Sequence, residues 1–593
     1  MVEVGISTSQ SQVQTKYKFS FGNVDIVEKD YLPAPFCYEN DQLIIIVLGT
    51  PVVSSKIAVQ EVAEKLCDHW QDHQFLKSIS SEFLFVIIEK VKETINIISS
   101  RFSSPPFFYY WNDGTFIGSF SFNDLWLRLK ELGRIEISGH SFYELLAYKR
   151  IFGHKTHERS TFLMEPASIL SFNGSVVVSK RYWLPDFKQK SNASIKDTAA
   201  ELGQLIQASI LSKTSDGVRP VLFLSGGMDT RCLAGSFAKT GILPLCVTIN
   251  QFENREVKVA KMVAEAVGAE HRFLPFYENH YSQVFDKAVD VVGGMQLPFC
   301  MFLGFKDKID DAADVIFHGH GFDYMFQGMY LPKKRHHFMG KLTHFTTLRS
   351  PEEPLEEFFL QNVSYGIMNH DPGFAGIIKQ EQQKSLFEQT LNEVKNIGKL
   401  AREICSSPFD ILEYFTFYNF ARHYPFGDHW GMNTNLPQRT ISFDNDIYAF
   451  YQSQTPEKRF DARILRTLLK QLNPELANII SANTQYPICS SNIQKTWHQM
   501  KEYALKRIGL GKKINPKEAF ERMGIPTNYI LTDDLRSYTE EVLNSEHFEA
   551  LEFIDMDGVR TYVREFLDGN YKNVNGQLMM ALITVDQMLK KIT

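Results

Sequence analysis

The 593-residue sequence has no apolar run near the roughly 18 residues that a membrane-crossing helix needs; its longest, residues 43–48 and 83–88, have the length of strands. Residues 1–14 show no basic-then-apolar export pattern, so the expected compartment is the cytoplasm, without a membrane partner. Cysteine is sparse: seven residues, scattered and without a CxxC spacing, argue against a disulfide framework or a structural zinc site. Charge of one sign is missing too. Lys and Arg total 63 against 69 Asp and Glu, a net charge of −6, and no basic cluster exceeds Lys333-Lys334-Arg335, which argues against a nucleic-acid partner. There is no internal repeat and no low-complexity tract.

What is present is ordinary globular composition, with length for about three or four domain-sized units. Up to about residue 185 the sequence is β-rich, with apolar or alternating runs at 43–48, 82–88, 95–99, 107–111 and 115–120 and turn signals at Asn112-Asp113-Gly114 and Asn173-Gly174. A polar stretch at 188–194 marks the expected domain boundary, and 195–211 then has helical periodicity. From Pro220 buried strands alternate with helices (221–224, 231–239, 245–249, 257–267), which predicts a parallel α/β sheet. Beyond about 335 the pattern is mostly helical, with amphipathic runs such as 577–591.

The chemistry concentrates at Ser225-Gly226-Gly227-Met228-Asp229-Thr230-Arg231, which follows the strand ending at Leu224. Glycines let the backbone turn its N–H groups toward an anion, a helix N-terminus adds positive potential, and Ser225 and Thr230 can donate to phosphate oxygens. A carboxylate here would repel a phosphate unless a divalent cation lay between them, so Asp229 is expected to bind Mg²⁺. The plain alternative is a strand-to-helix turn that only needs glycine.

This loop resembles the pyrophosphate-binding loop of the N-type ATP pyrophosphatases, specifically the asparagine-synthetase family. The resemblance continues through Asn254-Arg255-Glu256-Val257 and Gly268-Ala269-Glu270-His271, through residues 317–328 and 439–444, and through Asn473-Pro474-Glu475-Leu476. Upstream, Glu82–Val86, Arg101-Phe102 and 166–183 track an amidotransferase domain, so the matches span about residues 80–490 in one order. The implied fold is an α+β Ntn-amidotransferase-like β-sandwich over 1–187 and an α/β parallel-sheet ATP pyrophosphatase domain over 195–593, with 490–593 as a helical extension. The implied chemistry is attack of a substrate carboxylate on ATP, giving an acyl-adenylate, and then amide formation with an amine. The implied nucleotide site comprises Leu224, Ser225, Gly226, Gly227, Met228, Asp229, Thr230, Thr248, Ile249, His318 and Gly319, with Asp229 and Asp323 carrying Mg²⁺ and Gly319 letting the backbone close on the nucleotide.

The sequence also departs from the family. The chain opens Met1-Val2-Glu3 rather than with the cysteine that glutamine-using members carry, and residues 43–55 contain no arginine to grip glutamine, so a first domain without glutaminase activity is expected. His320 replaces a glutamate, Tyr324 a second acid and Ala462 a lysine, with Lys458 and Arg463 nearby. Neutral His320 is a candidate general base for the attacking amine, or simply a hydrogen-bonding loop residue; His271, His318, His423 and His429 are expected to pack or cap. These changes favour an amide ligase on a natural-product, peptide or glycan precursor, with a homodimer or a pathway partner as the expected assembly. The alternatives are a catalytically silent nucleotide-binding scaffold and an asparagine synthetase using free ammonia.

Overall fold

The computed structural model describes residues 2–6, 15–19, 22–26, 31, 33–298, 300–338, 340–362, 367–369, 371–416, 431–507, 527–572 and 574–592, so His423, His429, Lys512 and Lys513 lie outside the described residues. Among the described residues, two six-stranded sheets form the first part of the chain. The continuous apolar run in the strand Leu43–Gly49 reflects burial on both faces of one of these sheets. Ile44, Ile46 and Leu48 join the core shared with the other sheet, while Leu43, Ile45 and Val47 pack with Val62, Leu66 and Leu76 of the helices Val59–His69 and His73–Ser78. The sheets meet through Phe116 stacked on Phe172 at 4.8 Å, and on the outer face Phe108 meets Phe122 of the helix Phe122–Glu131 at 5.8 Å. The layers are therefore helix, sheet, sheet, helix.

Ser194 caps the next helix, Ile195–Lys213, by accepting from the Asp197 N–H. A five-stranded, wholly parallel sheet follows, in the spatial order His271–Pro275, Leu245–Asn250, Pro220–Phe223, Val315–His318 and Gln438–Thr440. The chain builds outward in one direction from Pro220–Phe223 and then returns to build in the other. This creates a topological switch point between Pro220–Phe223 and Val315–His318, where parallel α/β sheets open a crevice at their C-terminal edge.

Three elements depart from expectation. The helix after the glycine loop begins at Met228, so Asp229 and Thr230 occupy its first turn. A hairpin of Lys333–Phe338 and Lys341–Leu348 interrupts the helical region. The amphipathic run at 577–591 is the helix Gly576–Lys590, in which every residue from Leu578 to Leu589 is buried. It is a core element rather than a peripheral extension, because the helices Gly139–Tyr148, His280–Val292 and Arg536–Leu543 all pack on it. By contrast Trp497, in the helix Asn492–Arg507, is 72% exposed.

The sheet-rich and parallel-sheet regions share one apolar core. Phe102 stacks on Phe443 at 4.2 Å, and the Asn445 amide donates to the Ile79 carbonyl at 2.9 Å. All seven cysteines are unpaired, and no helix among the described residues is long and apolar enough to cross a membrane.

Candidate active site

A chamber of about 320 Å³ lies at the switch point. The strand Pro220–Phe223 and its loop contribute Leu224, Ser225, Gly227, Asp229 and Thr230. The neighbouring strand supplies Thr248 and Ile249, and the strand Val315–His318 with its following turn supplies His318, Gly319, His320 and Asp323. Residues far apart in sequence thus converge because parallel strands bring their C-terminal ends together. Thr248 also locks the strand edges, donating to the Leu224 carbonyl at 2.7 Å and bonding His271 Nε2 at 2.9 Å.

The loop is closed by its own hydroxyls. Thr230 Oγ1 accepts from the Ser225 N–H at 3.2 Å and lies 3.1 Å from Ser225 Oγ, which in turn accepts from the Gly227 N–H at 3.1 Å. Two members of the expected nucleotide set do not line the chamber. Gly226 faces Val259 and Ala482, whose side chains a Cβ would meet at 3.2 Å, and Met228 is buried in the core. Gly319 is required by a close approach, since a Cβ would lie 2.9 Å from the backbone nitrogen of Thr230. In this structure the glycine therefore closes on the glycine loop and its helix start. Fully buried Arg231 pins that loop, donating to the carbonyls of Leu476 (3.1 Å), Ile479 (2.8 Å), Gly226 (2.9 Å) and Ile480 (3.2 Å). Burial draws its guanidinium down to about 10.

Asp229 and Asp323 both line the chamber. Burial, then the nearby Asp323 charge, raises Asp229 well above the carboxylate range, and burial raises Asp323 to about 6. The Gln327 amide nitrogen donates to both Asp229 oxygens, at 2.7 and 2.9 Å. Glu256, whose carboxyl burial also raises, is a third acid on the wall, and among the described residues no Lys or Arg lines the chamber. A triphosphate could enter so acidic a chamber only with cations, and the two aspartates suit Mg²⁺, which takes one or two carboxylates plus phosphate oxygens. Among the described residues no group of three His, Cys, Asp or Glu could hold a metal by itself.

The histidines are hydrogen-bonded within the fold. His318 Nε2 donates to Gln438 Oε1 at 3.0 Å, and the Gln438 amide donates to Glu82 Oε1 at 3.1 Å, linking the site to the first domain. His320 Nε2 bonds the Tyr324 hydroxyl at 2.9 Å; burial, then neighbouring His318, lowers it to about 3, a weak base at neutral pH. Ala462 is buried in a left-handed conformation outside the chamber, with φ 51°. Lys458 and Arg463 do not replace the lysine, because they donate to the carbonyls of Ser191 (2.8 Å) and Glu457 (3.3 Å). Sequence reasoning missed Met301 and Phe302, in the short 3-10 helix Cys300–Phe302, and Met432, at a helical position, none of which carries a motif, and Glu256, which sits just inside the helix capped by Asn254 and so carried a local signal.

Residues 201–476 match the asparagine synthase family. The chain is also 25% identical, over 296 residues, to a Methanocaldococcus jannaschii protein whose name is "Putative asparagine synthetase [glutamine-hydrolyzing] 2". That match covers 48% of this chain and 56% of the other, so the chain spans about half the length of the curated relative it matches.

Proposed function

We propose that this chain is an ATP-dependent, AMP-forming amide ligase that adenylates a substrate carboxylate and transfers the acyl group to an amine without hydrolysing glutamine. The observation that carries this reading is the switch-point chamber itself. A hydroxyl-rich glycine loop at a helix N-terminus meets two half-buried aspartates, with no lysine or arginine on the wall among the described residues.

On this reading Ser225, Gly227 and Thr230 hold the departing pyrophosphate, while Val247, Ile249 and Phe302 form an apolar bed for the base. Asp229 and Asp323 would hold Mg²⁺, which when bound supplies charge stabilisation of the leaving group. A substrate carboxylate oxygen attacks the α-phosphorus and pyrophosphate leaves. The amine nitrogen then attacks the acyl carbon, the carbon–oxygen bond to AMP breaks, and one proton is released. His320, neutral and bonded to Tyr324, orients the turn rather than taking that proton. Glutamine independence is supported by the absence of arginine from residues 43–55. Residues 1–187 then serve as a packing and cleft-shaping unit, and 195–593 as the synthetase unit.

The test is exchange of labelled pyrophosphate into ATP over a panel of carboxylates. Exchange should appear with the right acid and vanish in Asp229→Ala and Asp323→Ala; exchange that survives both changes would refute the assignment. Release of glutamate from glutamine would refute glutamine independence. The second reading, a silent scaffold, is favoured by the Ala462 position and by Gln327 occupying Asp229, and it predicts ATP binding without AMP release under any substrate.

A further inference from the structure

A second cavity, of about 350 Å³, shares Met301 and Asp323 with the nucleotide chamber. Its walls come from both halves of the chain. Leu297, Pro298, Ile530 and Met580 make it mainly apolar, and Met580 belongs to the buried C-terminal helix. The first domain contributes Lys149 and Arg150. Lys149 is the left-handed C-cap of the helix Gly139–Tyr148, with φ 64°, and the backbone of 149–151 is tied to 295–297 by the bonds Leu297 N–H to Lys149 O (3.3 Å) and Ile151 N–H to Met295 O (3.2 Å). The backbone is thus pinned where the side chain enters the cavity wall. Among the described residues the Lys149 ammonium makes no hydrogen bond or ion pair, and desolvation followed by the adjacent Arg150 charge draws it down to about 8, still mostly charged at neutral pH.

Among the described residues this half-buried ammonium, beside an arginine in a mainly apolar cavity, has no anion paired with it, because the acid on the wall, Asp323, makes no ion pair with it. We infer that this cavity is the acyl-substrate site, that it takes a carboxylate with an apolar body, and that Lys149 of the first domain is the specificity residue that pairs with the carboxylate. The inference rests on the ligase reading for its chemistry, but the binding claim stands on the cavity alone. It assigns the first domain a task in substrate selection, and it places the anion next to the chamber where ATP would present its α-phosphate. It also accounts for the C-terminal helix, whose Gln577 and Met580 complete the wall.

Octanoate and 4-phenylbutyrate, titrated calorimetrically into the full-length protein without nucleotide, are the probes. Both should bind, with octanamide at least about tenfold weaker, since a bond to a charged group outweighs a neutral one. Lys149→Met should weaken octanoate binding by about tenfold or more and leave octanamide unchanged, and Lys149→Arg should restore most of the affinity. Unchanged thermal midpoints and MgATP binding in both variants confirm that the fold and the nucleotide chamber are intact. Equal octanoate affinity in wild type and Lys149→Met, or no binding of either acid, overturns the inference. Lys149-dependent octanoate binding without pyrophosphate exchange on any acid upholds the cavity and sinks the ligase reading; exchange that is indifferent to Lys149→Met does the reverse.

Discussion

Individual residues in this protein are tuned by burial more than by charge pairing. Arg231 is the clearest case, because its guanidinium satisfies four carbonyls that would otherwise be stranded between the glycine loop and residues 476–480. Arg231→Met should cost about 3–5 kcal/mol, read as a shift in the urea midpoint, since it removes the donors and leaves the acceptors buried. Gly319→Ala should leave the fold largely intact and weaken MgATP binding by about tenfold or more, because the new methyl meets backbone at Thr230 rather than a side chain that can move aside. Titration of the ATP affinity checks this. His157 gives a pH signature. It is fully buried, donates from Nε2 to the Gly294 carbonyl at 2.9 Å, and burial lowers it to about 4. A histidine depressed in the folded state leaves stability whole above about pH 6.5 and withdraws it as pH falls toward 4, because the unfolded chain takes the proton first. The loss by pH 5 should be about 2 kcal/mol relative to pH 7.5, and denaturant melts of His157→Phe should show a correspondingly flatter acid limb.

At the level of elements, periodicity told strand from helix but could not tell which surfaces would find partners. The run at 43–48 was legible as a strand because six consecutive apolar residues suit a sheet covered on both faces. The run at 577–591 looked amphipathic because it contains Gln577, Asp586, Gln587 and Lys590, yet Asp586 is buried against Ser545 and Gln587 against Glu541. Its packing makes a sharp prediction at Gly294, which has φ 64° and whose added Cβ would meet Met588 Cγ at 2.3 Å. Gly294→Ala should destabilise by about 2–4 kcal/mol through strain and overpacking. Adding Met588→Ala should recover about 1–2 kcal/mol of the overpacking, so the double mutant falls short of the sum of the singles in a thermodynamic cycle.

Across the described residues the two regions share one large apolar core and a continuous polar connection. Glu82 of the first domain accepts from Ser104, Gln438 and the Thr440 N–H, and Gln438 in turn accepts from His318 in the site. Residues 1–593 should therefore unfold in one transition by calorimetry and far-UV circular dichroism; two resolved transitions, or a soluble folded fragment of 195–593, would contradict the shared core. The sequence by itself determined the parallel sheet, the glycine loop and the two aspartates, because a strand-to-anion-loop turn is written in adjacent residues and needs only local backbone geometry. Tertiary structure alone decided that Gly226 and Met228 turn away from the chamber, that Phe302 joins it, and that His320 bonds Tyr324. It alone brought Lys149, Asp323 and Met580 around one cavity. Nothing local links those three positions: long-range packing set their distances, and burial, which depends on that packing, shifted the proton affinities of Lys149 and Asp323.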